Sequence, residues 1–165
     1  MNTKKHTISV YAKNNFNALS RIVGLFSGRG FDIDSISFGQ GQERGMARIP
    51  ITTHGDEQII EQITKQLHKV VDVLKVQDLT YEPFVERELA LVKVNAPKAS
   101  RSEIMQIANV FRAKIIDISP DHMTVEVTGS EDKVTAALGM IKQFGIVEVA
   151  RTGTVALKRE FQGKT

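Results

Sequence analysis

The chain has no cysteine, no tryptophan, two tyrosines and four prolines among 165 residues. Without thiols it has no disulfide framework, no cysteine-held zinc or iron–sulfur site and no thiol nucleophile, which suits a reducing cytosol; a cytoplasmic location is expected. The N-terminus is polar, and no apolar run approaches the roughly 18 residues of a membrane span, so neither targeting nor a membrane is expected. Charge of one sign is also scarce. Twenty-two Lys and Arg stand against nineteen Asp and Glu, for a formal +3. The longest basic clusters are Lys4-Lys5 and Lys158-Arg159, too short to track a phosphate backbone, so no nucleic-acid partner is expected.

Catalytic patterns are missing as well. His6, His54, His68 and His122 fall in separate elements without metal-ligand spacing and read as ordinary surface histidines; no metal site is expected. Gly39 to Gly45 has the spacing G-x-G-x-x-x-G, but it lies between two strands rather than opening a helix, which makes it a hairpin loop. There is no G-x-S-x-G. The central strands 46–52 and 122–128 carry none of the aromatics an RNA-binding sheet uses. Lys13-Asn14-Asn15 follows the first strand where an acylphosphatase-like site needs an arginine cradle. No catalytic residue is assigned.

What is present is a repeat. Residues 6–12 alternate, with Ile8, Val10 and Ala12 on one face, as a strand does. Asn17 is placed to cap a helix whose stripe is Ala18, Leu19, Ile22, Val23 and Phe26, stopped by Gly28 and Gly30. Strands are expected at 31–38 and 46–52, then a helix carrying Ile59, Ile60, Ile63 and Leu67, then a strand at 70–79. Pro50 sits inside a strand that should be bonded on both sides, so a bulge or a shortened strand is expected beside it. After a connector the same order returns. A strand at 89–95 leads to a helix with capping-box spacing at Ser100 and Glu103. Strands follow at 114–119 and 122–128, then a helix opened by Gly129, then a strand at 146–150. The segments beginning at Gly55 and Gly129 match at an offset of about 74 to 76 residues. The fold class is therefore α+β, two tandem ferredoxin-like βαββαβ sandwiches. The expected boundaries are 4–79 and 89–153, with a connector at 80–88 and a tail at 154–165.

One segment looks like a binding site. Asn14 to Leu19 sets side-chain amides beside the N–H groups of a helix N-terminus, which suits a carboxylate. Asp32 and Asp34, two apart on one strand face, suit an ammonium. A free amino acid carries both groups.

The runs NALSRIVGLFSGRGFDIDS (17–35), EQITKQLHKVVDV (61–73), VERELALVKV (85–94) and VEVARTG (147–153) closely resemble the small regulatory subunit of acetolactate synthase, also called acetohydroxyacid synthase. The likeness covers about residues 4 to 160. It implies an N-terminal ACT domain that forms a homodimer and binds a branched-chain amino acid at the dimer interface, and a large catalytic subunit as partner. Thiamine diphosphate, Mg and usually FAD belong to that partner, and no cofactor is implied for this chain. The family's role is to raise the activity of the large subunit and confer feedback inhibition, usually by valine, in valine, leucine and isoleucine biosynthesis.

Carried over by position, the effector residues are Asn14, Asn17, Ala18, Leu19, Asp32 and Ile33, the loop from one protomer and the strand from its partner. Family members usually have glycine where this chain has Asn17, and asparagine where it has Asp32. A side chain at Asn17 narrows the approach to the backbone and Asp32 adds a charge, so a weak or altered effector response with activation retained is expected. The alternative is a stand-alone ACT-type amino-acid sensor acting on another partner.

Overall fold

The computed structural model describes residues 4–160. The elements run β1 (Lys4–Lys13), α1 (Phe16–Gly28), β2 (Ser35–Ile36), β3 (Met46–Gly55), α2 (Glu57–Leu67), β4 (Val73–Asp78), β5 (Phe84–Asn95), α3 (Arg101–Val110), β6 (Lys114–Ile118), β7 (His122–Gly129), α4 (Glu131–Ile141), β8 (Ile146–Arg151) and β9 (Val155–Lys158). The chain divides into two compact units: residues 1–85 with 154–165, and residues 86–153.

In the first unit the strand order is β2-β3-β1-β4, all neighbours antiparallel. Ile8, Val10 and Ala12 of β1 and Ala47, Ile49 and Ile51 of β3 point to one face and meet Ile22 and Phe26 of α1 and Ile60, Ile63 and Leu67 of α2. The second unit repeats the plan with order β6-β7-β5-β8. There Val92 and Val94, Val125 and Val127 pack under Ile104 of α3 and Val134 and Ile141 of α4. This is the expected pair of ferredoxin-like sandwiches. The repeat extends to its irregularities, because each unit's first strand shifts register against its last near its end, at Tyr11/Ala12 and at Lys93/Val94. Gly129 closes β7 rather than opening a helix, as Gly55 closes the equivalent strand β3 ahead of α2. A Cβ at Gly55 would come within 2.9 Å of Ile59 Cγ2, so glycine lets α2 turn straight onto the sheet.

Several expectations change. Pro50 causes no bulge in β3, which pairs with β1 without interruption from Met46 to Gly55. The Pro50 carbonyl instead accepts from Ser37 N at 3.1 Å, on the side away from β1. A residue in an antiparallel ladder turns its N–H and C=O to the same side, so proline withholds its donor from β2 alone. The shortened strand is the partner: β2 is two residues, not the eight expected at 31–38.

Ser100 is not a capping-box residue. Its backbone is already helical (φ −98°, ψ −10°) and its hydroxyl donates to Pro97 O at 3.4 Å, so it makes no side-chain cap. The entry to α3 is held by Arg101, whose guanidinium donates to the carbonyls of Ala96, Ser119 and Pro120 at 2.9, 2.5 and 2.6 Å.

The connector and tail differ most. β5 begins at Phe84, leaving a short turn where residues 80–88 were expected to link the halves. Residues 155–158 form β9, which lies against β1 and β3. Thr154 N donates to Ser35 Oγ at 3.2 Å, Arg159 N donates to Pro83 O at 2.8 Å, and Lys158 is ion-paired with Glu82. Thr7, Ser9, Pro50 and Thr52, which alternate away from the helices, are also buried. Residues 161–165 of the expected tail lie outside the described residues.

Candidate functional site

The turn after β1 is fixed at both ends. Asn14 N donates to Gly45 O at 2.8 Å, tying it to the start of β3, and Lys13 N donates to Asp72 O at 2.9 Å, tying it to the turn before β4. Gly45 adopts φ +81°, a conformation glycine takes without penalty. Asn15, not Asn17, caps α1: its backbone is extended and its Oδ1 accepts from Ala18 N at 2.8 Å. Asn17 is already the second helical residue and is exposed. Because β1 runs to Lys13, the helix starts one residue past Asn15, which leaves Asn15 as the last residue whose side chain can reach the third helical N–H.

Ala18 is fully buried and its N–H is used by the cap; Leu19 is half-buried and donates its N–H to Asn15 O at 3.4 Å. Helix geometry therefore leaves Phe16 and Asn17 as the first-turn donors facing outward. The α1 first turn contains no acidic residue. Two cations flank it: Lys13 Nζ and Arg21 Nη1 both meet Asp72, at 3.6 and 3.1 Å. Sequence reading took in Asn15 only as part of the Asn14 to Leu19 turn and gave no binding role to Lys13, Arg21 or Asp72. The one signal for Asp72 is a carboxylate inside the apolar run 70–74, and it is largely buried.

Asp32 and Ile33 lie in an irregular segment before β2. Asp32 is exposed and its carbonyl accepts from Thr53 Oγ1 at 2.5 Å, while the Ile33 side chain packs on the core of the first unit. Asp34 does not join Asp32 in a free acidic face, because its carboxylate meets His54 Nδ1 at 2.7 Å.

The two halves of the predicted site do not meet within one chain. Thr53, which holds Asp32, pairs with His6 near the start of β1, whereas the Asn14 turn follows Lys13 at its end. Seven residues of strand separate those levels, about 23 Å at ~3.3 Å per residue.

The histidines also need revision. His54 is exposed and paired as described, but His6 is not a surface residue: it is 1% exposed, and its Nδ1 lies 3.3 Å from Asp78 Oδ2. His6 and His68, in separate elements, line one cleft.

Residues 8–75 match the model of the AHAS small subunit-like ACT domain, and residues 87–160 match that of the small subunit of acetolactate synthase. The chain is 48% identical over 162 residues to the acetolactate synthase small subunit of Aquifex aeolicus, covering 98% of this chain and 84% of that one. It is 48% identical over 160 residues to a probable acetolactate synthase small subunit of Methanothermobacter thermautotrophicus, covering 96% and 95%. The crystal structure of the acetolactate synthase small subunit from Thermotoga maritima superposes with a TM-score of 0.87 at 38% identity, covering 96% of this chain and 99% of that one. Among the described residues no helix is long and apolar enough to cross a membrane. Both tandem sandwiches and nearly the whole length are shared with these proteins, and the chain belongs to the acetolactate synthase small-subunit family, as a regulatory subunit.

Proposed function

We propose that this chain raises the activity of a large, thiamine-diphosphate-dependent catalytic subunit and transmits feedback inhibition by a branched-chain amino acid, valine foremost. The effector binds between two copies of the first unit. Asn14, Asn17, Ala18 and Leu19 come from one copy, and Asp32 and Ile33 from the other. The observation that supports this reading best is the separation of about 23 Å between the two halves along β1. A single copy cannot close both on one amino acid, whereas a symmetric pair brings each loop to the other copy's strand. The outward N–H groups of Phe16 and Asn17 suit the effector carboxylate, and exposed Asp32 suits its ammonium. Inhibition is then a coupling free energy of about 1–3 kcal/mol between that interface and a distant active site.

The side chain of Asn17 stands beside those N–H groups, so effector affinity is weakened while activation is kept. The test is acetolactate formation from pyruvate by the cognate large subunit, with and without this chain, across titrations of valine, leucine and isoleucine. Activation with weak inhibition is expected, strengthened by the pair Asn17→Gly and Asp32→Asn. Submillimolar inhibition by valine in the parent overturns the role given to Asn17. Failure of the pair to strengthen the response overturns the site. No activation at all overturns the regulatory reading in favour of a stand-alone sensor.

A further inference from the structure

Arg21 is the side chain equipped to tell an amino acid from its neutral amide at the α1 turn. It stands four residues after Asn17, on the same face of α1, and helical side chains lean toward the helix N-terminus. Its guanidinium is therefore directed back toward the first turn. The contact it makes agrees with this: Nη1 donates to Asp72 Oδ2 at 3.1 Å, and the Asp72 carbonyl accepts from Lys13 N at 2.9 Å, immediately before the Asn14 turn.

Asp72 offsets only part of the positive charge gathered there. Its side chain is 12% exposed and is shared between Arg21 and Lys13 Nζ, which lies at 3.6 Å. Two cations thus stand against one carboxylate, and the first turn of α1 adds no acid. Positive charge beside a helix N-terminus opposes the macrodipole, so the arrangement favours a second anion. The guanidinium has the donors to meet one. Of its five N–H groups in a planar fork, only Nη1 is engaged, and among the described residues Nε and Nη2 meet no acceptor. Those two nitrogens form the side edge of the fork, the geometry that takes both oxygens of a carboxylate at once. With its side chain 55% exposed, Arg21 can offer that edge to a ligand. Lys13 matches it in charge but not in shape.

We propose that Arg21 is a specificity-determining residue of the effector site. Its Nε–Nη2 edge binds the effector carboxylate beside the Phe16 and Asn17 N–H groups, while Asp72 holds Nη1. The inference rests on the effector reading above and adds what selects an amino acid over its amide. Charge-assisted, forked hydrogen bonds are about twice as strong as neutral ones and fix the plane of the carboxylate. A neutral amide in that position brings one acceptor, no charge, and an NH₂ group that faces other donors.

The test uses the full chain labelled with ¹⁵N, titrated with L-valine and in parallel with L-valinamide at constant pH and ionic strength. Backbone amides of Phe16 and Asn17 report occupancy, and the Nε–H of Arg21 reports its side chain. With valine all three signals should shift and saturate; valinamide should bind more weakly and leave Arg21 Nε in place. Arg21→Met should weaken valine about tenfold, the scale of one hydrogen bond to a charged group, and valinamide by less than about twofold. Arg21→Lys, which keeps the charge and loses the fork, should fall between. Lys13 remains to pair with Asp72 in both variants, so neither strands that carboxylate. Valine that shifts neither Phe16 nor Asn17 overturns the effector site and this inference together. Shifts at both amides with Arg21 Nε unmoved, or an equal loss for valine and valinamide in Arg21→Met, overturn the role of Arg21 and leave the effector site standing.

Discussion

Replacing Asn15 by alanine separates the role of the α1 cap from that of the residue two positions on. In the structure Asn15 Oδ1 satisfies Ala18 N at 2.8 Å, and the helix it starts buries Ala18, Ile22 and Phe26. Losing such a cap costs about 1 kcal/mol, within a range of ~0.5–2. At a urea dependence of about 2 kcal/mol/M this lowers the midpoint by roughly 0.5 M, or the melting temperature by about 2–4 °C at this chain length. Asn17 is exposed at the second helical position, where alanine is the better helix former, so Asn17→Ala changes stability by less than about 0.5 kcal/mol and with favourable sign. Because the chain has two units, global unfolding need not be a single transition. Hydrogen exchange of the α1 amides reads the affected element directly. Asn15→Ala speeds exchange across the first turn of α1 and leaves α3 and α4 unchanged. An equal or larger loss in Asn17→Ala refutes the assignment of the cap to Asn15.

Glu88 is buried and both of its carboxylate oxygens meet Arg151, whose side chain is 39% exposed. Glu88→Gln should lower stability by about 2 kcal/mol, below the full value of a buried pair because Arg151 keeps water; thermal unfolding measures it. Pro50→Val supplies the N–H that β2 lacks, so the new amide should become protected from exchange and β2 should lengthen past Ile36; an unprotected amide refutes the account of β2. Removing residues 154–165 uncovers Thr7, Ser9 and Thr52 and should destabilise the first unit by about 2 kcal/mol, with exchange quickening in β1 and β3 and little change in α3 and α4. The hydrogen bond from Lys158 holds the Glu82 carboxyl below its ordinary range, helped by Gln77. A carboxyl that titrates lower folded than unfolded favours the fold above its unfolded pKa, and that contribution is lost as pH falls through the folded value. Lys158→Met should therefore move the Glu82 titration upward, read by carboxyl ¹³C NMR; no upward movement refutes the pairing.

The alternation of Ile8, Val10 and Ala12, the helical stripes and the repeat marked by Gly55 and Gly129 determined the two sandwiches, because these patterns encode which face of each element must leave water. The same local signals located the α1 turn as a candidate site. Tertiary structure decided what depends on residues distant in sequence. It chose between Asn15 and Asn17 as cap, since the choice rests on how far β1 runs before the helix begins. It transferred the effect of Pro50 from its own strand to β2, because only sheet order shows which neighbour meets the missing N–H. It buried His6 beside Asp78, 72 residues apart on the first and last strands of one βαββαβ unit. It also folded β9 onto the hydroxyl-bearing side of β1. Sequence alone does not show that Thr7, Ser9 and Thr52 are buried, because small polar side chains look alike in one dimension whether they meet water or hydrogen-bond within a packed layer. The roughly 23 Å between the Asn14 turn and Asp32 likewise follows from the strand register, which sequence spacing alone does not contain.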